Sequence, residues 1–327
     1  TKTLDLRNSP EGAPLEDKFQ KAFEYSDCWI EDSRLVVLNA RDAQARGAEI
    51  MVRTKVVSAS RIDGVWDVVL EDTDKGNVRN IRARMLVNAG GPWVGDIIQQ
   101  KVRINSTEGV YENDFTLIGT TDAEHSDPSV KPECTPEEQA YLLTFINQYL
   151  KEDIGDEDVV WSYSGVRPLY DDGASSATAA TRDYTLKVDN TGGAPILNIF
   201  GGKITTYRKL AEDAMDQIVP FFPETSGHWT AGVALPGGDF AVGDFEQLVT
   251  RLGNEFEFLS APWARRLVRA YGTESWDILA AATSEGDLGQ SFGATLTARE
   301  VEWLITHEYA RSAEDIVWRR NKLGLRL

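Results

Sequence analysis

Three cations stand where the chain turns: Arg167 in Gly-Val-Arg-Pro, Arg182 in Thr-Arg-Asp-Tyr, and Lys203 directly after Gly201-Gly202. An arginine fork recognises phosphate or carboxylate through two parallel hydrogen bonds, and a lysine adds a point charge. If the strands bearing them are neighbours, the three converge on one dianion. A lone surface arginine more often pairs with one of the 52 acidic residues, so convergence is the whole of the case. The stretch around Lys203 adds to it. Pro195–Phe200 reads as a buried strand, Gly201-Gly202 as a sharp turn, and Leu210, Ala211, Ala214, Met215 and Ile218 as one face of a helix starting near Ile204. Such a junction aims free N–H groups and the positive end of a helix dipole at one point, an anion site in outline. Arg84–Ala89 running into Gly90-Gly-Pro-Trp-Val-Gly95 is a second junction of the same kind. Taken singly, each is also what an ordinary β/α turn looks like.

The elements that must position these residues can be read in outline. Asp32 or Ser33 caps a helix running to Ala45, closed by Gly47. Strands are expected over Ile50–Val52, Lys55–Arg61, Val65–Leu70 and Val78–Ala83. Turns at Asp63-Gly64 and Asp74–Asn77 make the last three a meander able to cover a neighbouring sheet. Residues 1–20 read as a loose lead-in. Further strands are expected over Phe115–Gly119 and Val159–Val166, and up to Val188, where Asn190–Gly193 turns the chain. Thr135-Pro-Glu-Glu138 is a capping box opening a helix to about Leu150. Beyond Pro236-Gly-Gly238 the periodicity becomes helical, over Leu248–Phe258, Pro262–Tyr271, Trp276–Thr283 and Ala298–Arg320, with Thr297-x-x-Glu300 as another capping box. The expected domains are therefore 1–235 and 236–327.

Composition bounds the rest. A net charge of −18 over 327 residues argues against nucleic acid and against a broad basic face, so an anion site must be a local pocket. Cys28 and Cys134 share no ligand spacing, and His125, His228 and His307 are scattered, which predicts a reducing compartment and no metal site. No apolar run approaches the ~18 residues of a membrane span. Thr1 is not an initiator methionine, and the opening reads as truncated.

Six segments in order resemble one family. They are Tyr25-Ser-Asp-Cys-Trp29, Leu86-Val-Asn-Ala-Gly-Gly-Pro-Trp93, Ile118-Gly-Thr-Thr-Asp122, Tyr163-Ser-Gly-Val-Arg-Pro-Leu169, Thr181-Arg-Asp-Tyr184 and Gly201-Gly-Lys-Ile-Thr-Thr-Tyr-Arg208. The chain is similar through them to FAD-dependent, quinone-linked glycerol-3-phosphate dehydrogenases, and Asp315–Gly324 resembles that family's C-terminal helical domain. The resemblance implies an α/β (α+β) fold: a Rossmann-type FAD-binding domain, an antiparallel-sheet substrate domain and an all-helical C-terminal domain. It places Ala89, Gly90, Gly91 and Trp93 along the flavin and the backbone of Val56 at the adenine. Gly202, Lys203, Ile204 and Thr205 present N–H groups to the flavin ring, and Arg167, Arg182 and Lys203 hold the substrate phosphate. The implied reaction is hydride transfer from C2 of sn-glycerol 3-phosphate to flavin N5, giving dihydroxyacetone phosphate. Electrons then pass to quinone at the inner face of the cytoplasmic membrane, where the protein is peripheral, and a homodimer is compatible with the resemblance.

The chain also departs from the family. It contains no G-x-G-x-x-G, and the resemblance puts the pyrophosphate-binding βαβ unit, with a substrate-contacting arginine and tyrosine just after it, ahead of Thr1. Several dozen family residues fall between the equivalents of Val110 and Tyr111, among them a Lys-Gly-Ser-His segment whose histidine is the candidate base. Either they are deleted or the sequence closes its numbering over them; cutting strands from a sheet exposes edges and core, which favours the second. His125 is not assigned as the base, so the catalytic residue stays open. A glycerol-3-phosphate oxidase using oxygen and a non-catalytic binding module are the alternatives. The Arg/Arg/Lys set argues against an amine or amino-acid oxidase.

Overall fold

The structure is a computed structural model and describes residues 2–24, 30–94, 118–119, 130–165 and 183–327. Two compact units are present, one of residues 1–29 and 54–228 and one of residues 30–53 and 229–327. The sequence sets a boundary near Leu235; the contacts divide the chain between His228 and Trp229 and place Ile30–Arg53 in the helical unit.

In the first unit, Lys2–Asp5 (β1) and Lys21–Glu24 (β2) form an antiparallel pair. The lead-in is therefore not loose throughout, because Lys2–Asp5 finds its partner some twenty residues on, where no local pattern records it. The meander forms as expected from Thr54–Ile62 (β3), Val65–Asp72 (β4) and Val78–Ala83 (β5). Asp63 and Gly64 both take positive φ, 50° and 78°, which a two-residue hairpin turn matching strand twist requires. At the second turn the Asp72 carboxylate accepts the N–H groups of Asp74 and Lys75, at 2.9 and 3.0 Å.

Strand β4 alternates, and its buried residues Trp66, Val68 and Leu70 pack with Ala194, Leu86 and Ile196. The meander thus covers a second sheet, ordered Leu86–Asn88 (β6), Ile196–Phe200 (β8), Thr185–Asp189 (β7). The Trp66 indole N–H donates to the Pro195 carbonyl at 2.9 Å, and the Arg61 guanidinium donates to the Ala194 carbonyl at 2.8 Å. Polar atoms at the margin of this apolar interface are therefore satisfied.

The Thr135 capping box is complete: Thr135 Oγ1 accepts from Glu138 N at 3.2 Å and Thr135 N donates to Glu138 at 2.9 Å. Its helix, Pro136–Asn147 (α2), stops short of Leu150. The Asn147 side chain bonds both backbone groups of Ile154 at 3.0 Å and turns the chain back. Ile50–Val52 and Val159–Gly165 are not strands. In the latter, Trp161 and Tyr163 stack their rings instead. The strand expected at Phe115–Gly119 lies outside the described residues, apart from Ile118 and Gly119.

The second unit contains Asp32–Ala45 (α1) and packs Phe245–Glu255 (α4), Ala261–Tyr271 (α5), Ser275–Leu279 (α6) and Ala298–His307 (α7) around Leu252, Leu267, Tyr271, Leu279 and Leu304, while Tyr207–Ile218 (α3) belongs to the first unit. Neither Asp32 nor Ser33 caps α1. Glu31 takes the cap position without a side-chain bond, and Asp32 accepts the Ser33 N–H. Arg34 on α1 forks onto Glu308 at 2.8 and 3.0 Å, and Arg41 forks onto Glu274. The Thr297–Glu300 box does not form. Glu300, 1% exposed, is claimed by Arg266 at 2.7 and 2.8 Å and by the Tyr271 hydroxyl at 2.7 Å. The expected Ala298–Arg320 helix is interrupted. Tyr309 adopts φ 58°, and a π-helical turn at Asp315–Arg320 follows. Helix α6 likewise ends early because Ala280 takes φ 48°.

Candidate functional site

Strands β6 and β8 run parallel, with Leu86 opposite Ile196, Val87 opposite Leu197 and Asn88 opposite Asn198. Both therefore end on the same side of the sheet, and both end in glycine turns, Ala89-Gly90-Gly91 and Gly201-Gly202-Lys203. Ligands of open α/β sheets sit outside the carboxyl ends of such strands. The two junctions that each look ordinary in the sequence are brought side by side.

A buried amide pair fixes their register. Asn88 and Asn198 are 6% and 7% exposed, and Asn88 Nδ2 donates to Asn198 Oδ1 at 3.0 Å. The same nitrogen lies 3.3 Å from the Val94 carbonyl, and the Gly90 N–H reaches Asn88 Oδ1 at 3.4 Å. Asn88 thus closes its own turn, a 3₁₀ segment at Gly91–Trp93, while holding the neighbouring strand. Sequence reasoning missed this pair. The signal was there, since each asparagine interrupts an apolar strand just before a glycine turn.

The glycines are required by conformation: φ is 57° at Gly91, 68° at Gly201 and 100° at Gly202. A Cβ at Gly91 would meet nothing within 4 Å, whereas one at Gly202 would lie 2.9 Å from Leu210 Cδ1 and 3.7 Å from Tyr184 Cβ. After Lys203 the chain makes a 3₁₀ turn, Ile204–Thr206, closed by Thr206 N–H to the Lys203 carbonyl at 3.0 Å. It then enters Tyr207–Ile218 (α3). The helix expected from Ile204 thus has a 3₁₀ first turn, whose leading N–H groups have no intrahelical partner.

Lys203 is exposed and forms no ion pair among the described residues. Its neighbours are held in place. Tyr184 donates its hydroxyl to Asp213 on α3, and Asp213 also pairs with Lys209. Hydrogen bonding from Lys209, then from Tyr184, holds the Asp213 carboxyl below the usual range, and the bond to Asp213 pushes the Tyr184 phenol up.

Of the residues singled out from the sequence, Ala89, Gly90, Gly91 and Trp93 lie on one turn and Gly202, Lys203, Ile204 and Thr205 on the other. Val56 lies on β3 with its side chain 58% exposed, on neither turn. Arg167 and Arg182 lie outside the described residues. The segment bearing Arg182 leads through Asp183 and Tyr184 into β7, whose Thr185 pairs with Phe200 beside the Lys203 turn.

The family model described as FAD dependent oxidoreductase matches residues 2–111 and 106–208. The chain belongs to the FAD-dependent oxidoreductase family. A second family model, the C-terminal domain of alpha-glycerophosphate oxidase, matches residues 228–326 of this oxidoreductase. The D-erythritol 1-phosphate dehydrogenase of Brucella abortus is 41% identical over 361 aligned residues, covering 100% of this chain and 72% of the relative. The glycerol-3-phosphate dehydrogenase of Pseudomonas aeruginosa is 42% identical (96% and 68% covered), and the aerobic glycerol-3-phosphate dehydrogenase of Escherichia coli K12 is 37% identical (95% and 69%).

The cofactor of this oxidoreductase family is FAD, and the residues present fit its ring. Positions 90, 91, 201 and 202 carry no side chain, so a flat heteroaromatic can approach the backbone at the end of the parallel pair. No residue of this chain is assigned to the pyrophosphate. Among the described residues no helix is long and apolar enough to cross a membrane.

Proposed function

We propose that this flavoprotein oxidises sn-glycerol 3-phosphate at C2 to dihydroxyacetone phosphate. The observation that carries the reading is the pairing of two glycine turns at the carboxyl ends of β6 and β8, one of them bearing Lys203. The flavin lies along Ala89, Gly90, Gly91 and Trp93 and takes hydrogen bonds from the backbone of Gly202, Lys203, Ile204 and Thr205, with Val56 toward the adenine. Bound FAD supplies the two-electron acceptor. Lys203, Arg167 and Arg182 hold the substrate phosphate, an assignment that suits two bidentate forks and one point charge on a dianion. A cation beside the ring also stabilises negative charge that develops there. The resemblance supports quinone as the electron acceptor and a peripheral seat on the inner face of the cytoplasmic membrane.

The relative named for D-erythritol 1-phosphate favours a second substrate of the same class, a four-carbon polyol phosphate. The test is anaerobic reduction of the purified yellow protein. Glycerol 3-phosphate should bleach the flavin absorbance, and a soluble quinone should restore it faster than oxygen does. Faster bleaching by D-erythritol 1-phosphate would favour the longer substrate, and faster recovery in oxygen an oxidase. A flavin that neither polyol phosphate bleaches would refute the reading.

A further inference from the structure

The Thr-Arg-Asp-Tyr segment does more than carry Arg182. Tyr184 comes immediately before β7, whose first residue pairs with Phe200, the last residue of β8. The tyrosine therefore sits level with the Gly201-Gly202 turn, and its Cβ lies 3.7 Å from where a Gly202 Cβ would be. Leu210 Cδ1 of α3 lies 2.9 Å from the same point. Gly202 thus has both a strand lead-in and a helix close by. One hydrogen bond joins the two, the Tyr184 hydroxyl to Asp213, three residues beyond Leu210 on α3.

We propose that Tyr184 and Asp213 are positioning residues, a clamp that fixes the Gly201-Gly202-Lys203 turn and thereby the direction in which Lys203 meets the substrate phosphate. The clamp touches neither substrate nor flavin. It acts by holding strand lead-in and helix at the spacing the glycine turn needs. Lys209, one helical turn before Asp213, balances the carboxylate's charge and keeps it ionised as an acceptor. The raised phenol stays protonated, so the bond persists across the physiological range. A side chain pointed slightly wrong can lose much of its effect, since small misplacements at a site cost disproportionately.

The inference rests on the reading that Lys203 binds the phosphate, and a cycle with Lys203→Met separates the two. Tyr184→Phe keeps the Cβ that lies beside Gly202 and removes only the hydroxyl. It should raise KM for glycerol 3-phosphate by roughly 3- to 30-fold with kcat changed far less, and with full flavin content. Asp213→Ala should match it, while Asp213→Asn, which still accepts the hydroxyl, should restore most of the affinity. In a Lys203→Met background Tyr184→Phe should add almost nothing, because the group it orients is gone. If Lys203→Met raises KM but Tyr184→Phe leaves it unchanged, or if the two effects multiply independently, the clamp is wrong and the phosphate reading stands. If Lys203→Met has wild-type KM and kcat, the phosphate reading fails for that residue and the clamp's role falls with it. Loss of flavin from Tyr184→Phe would instead make the pair a support of the cofactor, which also overturns the proposal.

Discussion

The Asn88–Asn198 pair gives a quantitative handle on whether the two glycine turns act as one site. Replace each asparagine by leucine, similar in size and unable to hydrogen-bond. Asn198→Leu leaves Asn88 Nδ2 with only the Val94 carbonyl, at 3.3 Å, in a site where the asparagine is 6% exposed. A buried polar group left without its partner costs about 1–3 kcal/mol. Asn88→Leu removes three bonds at once: those to Asn198 Oδ1, to the Val94 carbonyl and from the Gly90 N–H. Its cost should lie at or above the top of that range. In the double variant the amide that each single change orphans is gone as well. The double should therefore cost about 1–2 kcal/mol less than the sum of the singles. Urea denaturation followed by far-UV ellipticity measures all four species, and flavin absorbance in the same titrations reports the site. Asn88→Leu should release flavin at a lower urea concentration than it unfolds the chain, because it opens the Gly90-Gly91 turn before the sheet. Strict additivity of the two singles, or flavin loss coincident with global unfolding in every variant, would refute the idea that this amide bond joins the turns.

Three more outcomes are expected. Arg182→Ala or Arg167→Ala should weaken glycerol 3-phosphate binding ~10–150-fold, the equivalent of ~1.5–3 kcal/mol for a hydrogen bond to a charged group, with flavin content unchanged; an unaltered KM removes that arginine from the site. In the helical unit, Glu308→Ala leaves Arg34, 4% exposed, as an unpaired buried charge. Stability should fall by about 3–5 kcal/mol in calorimetry, and a loss within error of zero contradicts the account. Asp287 accepts the N–H and hydroxyl groups of both Thr283 and Ser284, and these bonds hold its carboxyl below the usual range. A depressed folded value means the contribution is complete above the unfolded value of about 4 and is lost as pH falls through the folded one. Asp287→Asn should flatten the acid limb of the melting curve; an unchanged limb places the acid sensitivity elsewhere.

What the sequence displays is what depends on near neighbours. The alternation of Trp66, Val68 and Leu70, the Asp63-Gly64 turn and the Thr135 capping box are each complete within a few residues, and each forms as read. The readings that fail do so because a distant group wins. Glu300 follows Thr297 at capping-box spacing, but Arg266 and Tyr271 offer it a buried, charge-assisted alternative. Helix α1 reads correctly as a helix, yet what ties it to the C-terminal unit is partners such as Glu274 and Glu308, 233 and 274 residues away.

The site falls between these cases. Each glycine junction is a local feature, and neither alone separates a cofactor cradle from an ordinary turn. Their adjacency comes from pairing residues 110 positions apart. That pairing still left a trace in the sequence. An amide inside an apolar strand carries a desolvation cost that only a hydrogen-bond partner offsets, and two such strands each hold one asparagine shortly before a glycine pair. The cheapest arrangement sets the two amides against each other, and in the parallel pairing observed that register brings both turns to the same edge. A polar residue where periodicity calls for an apolar one is thus a statement about a neighbour as much as about its own strand.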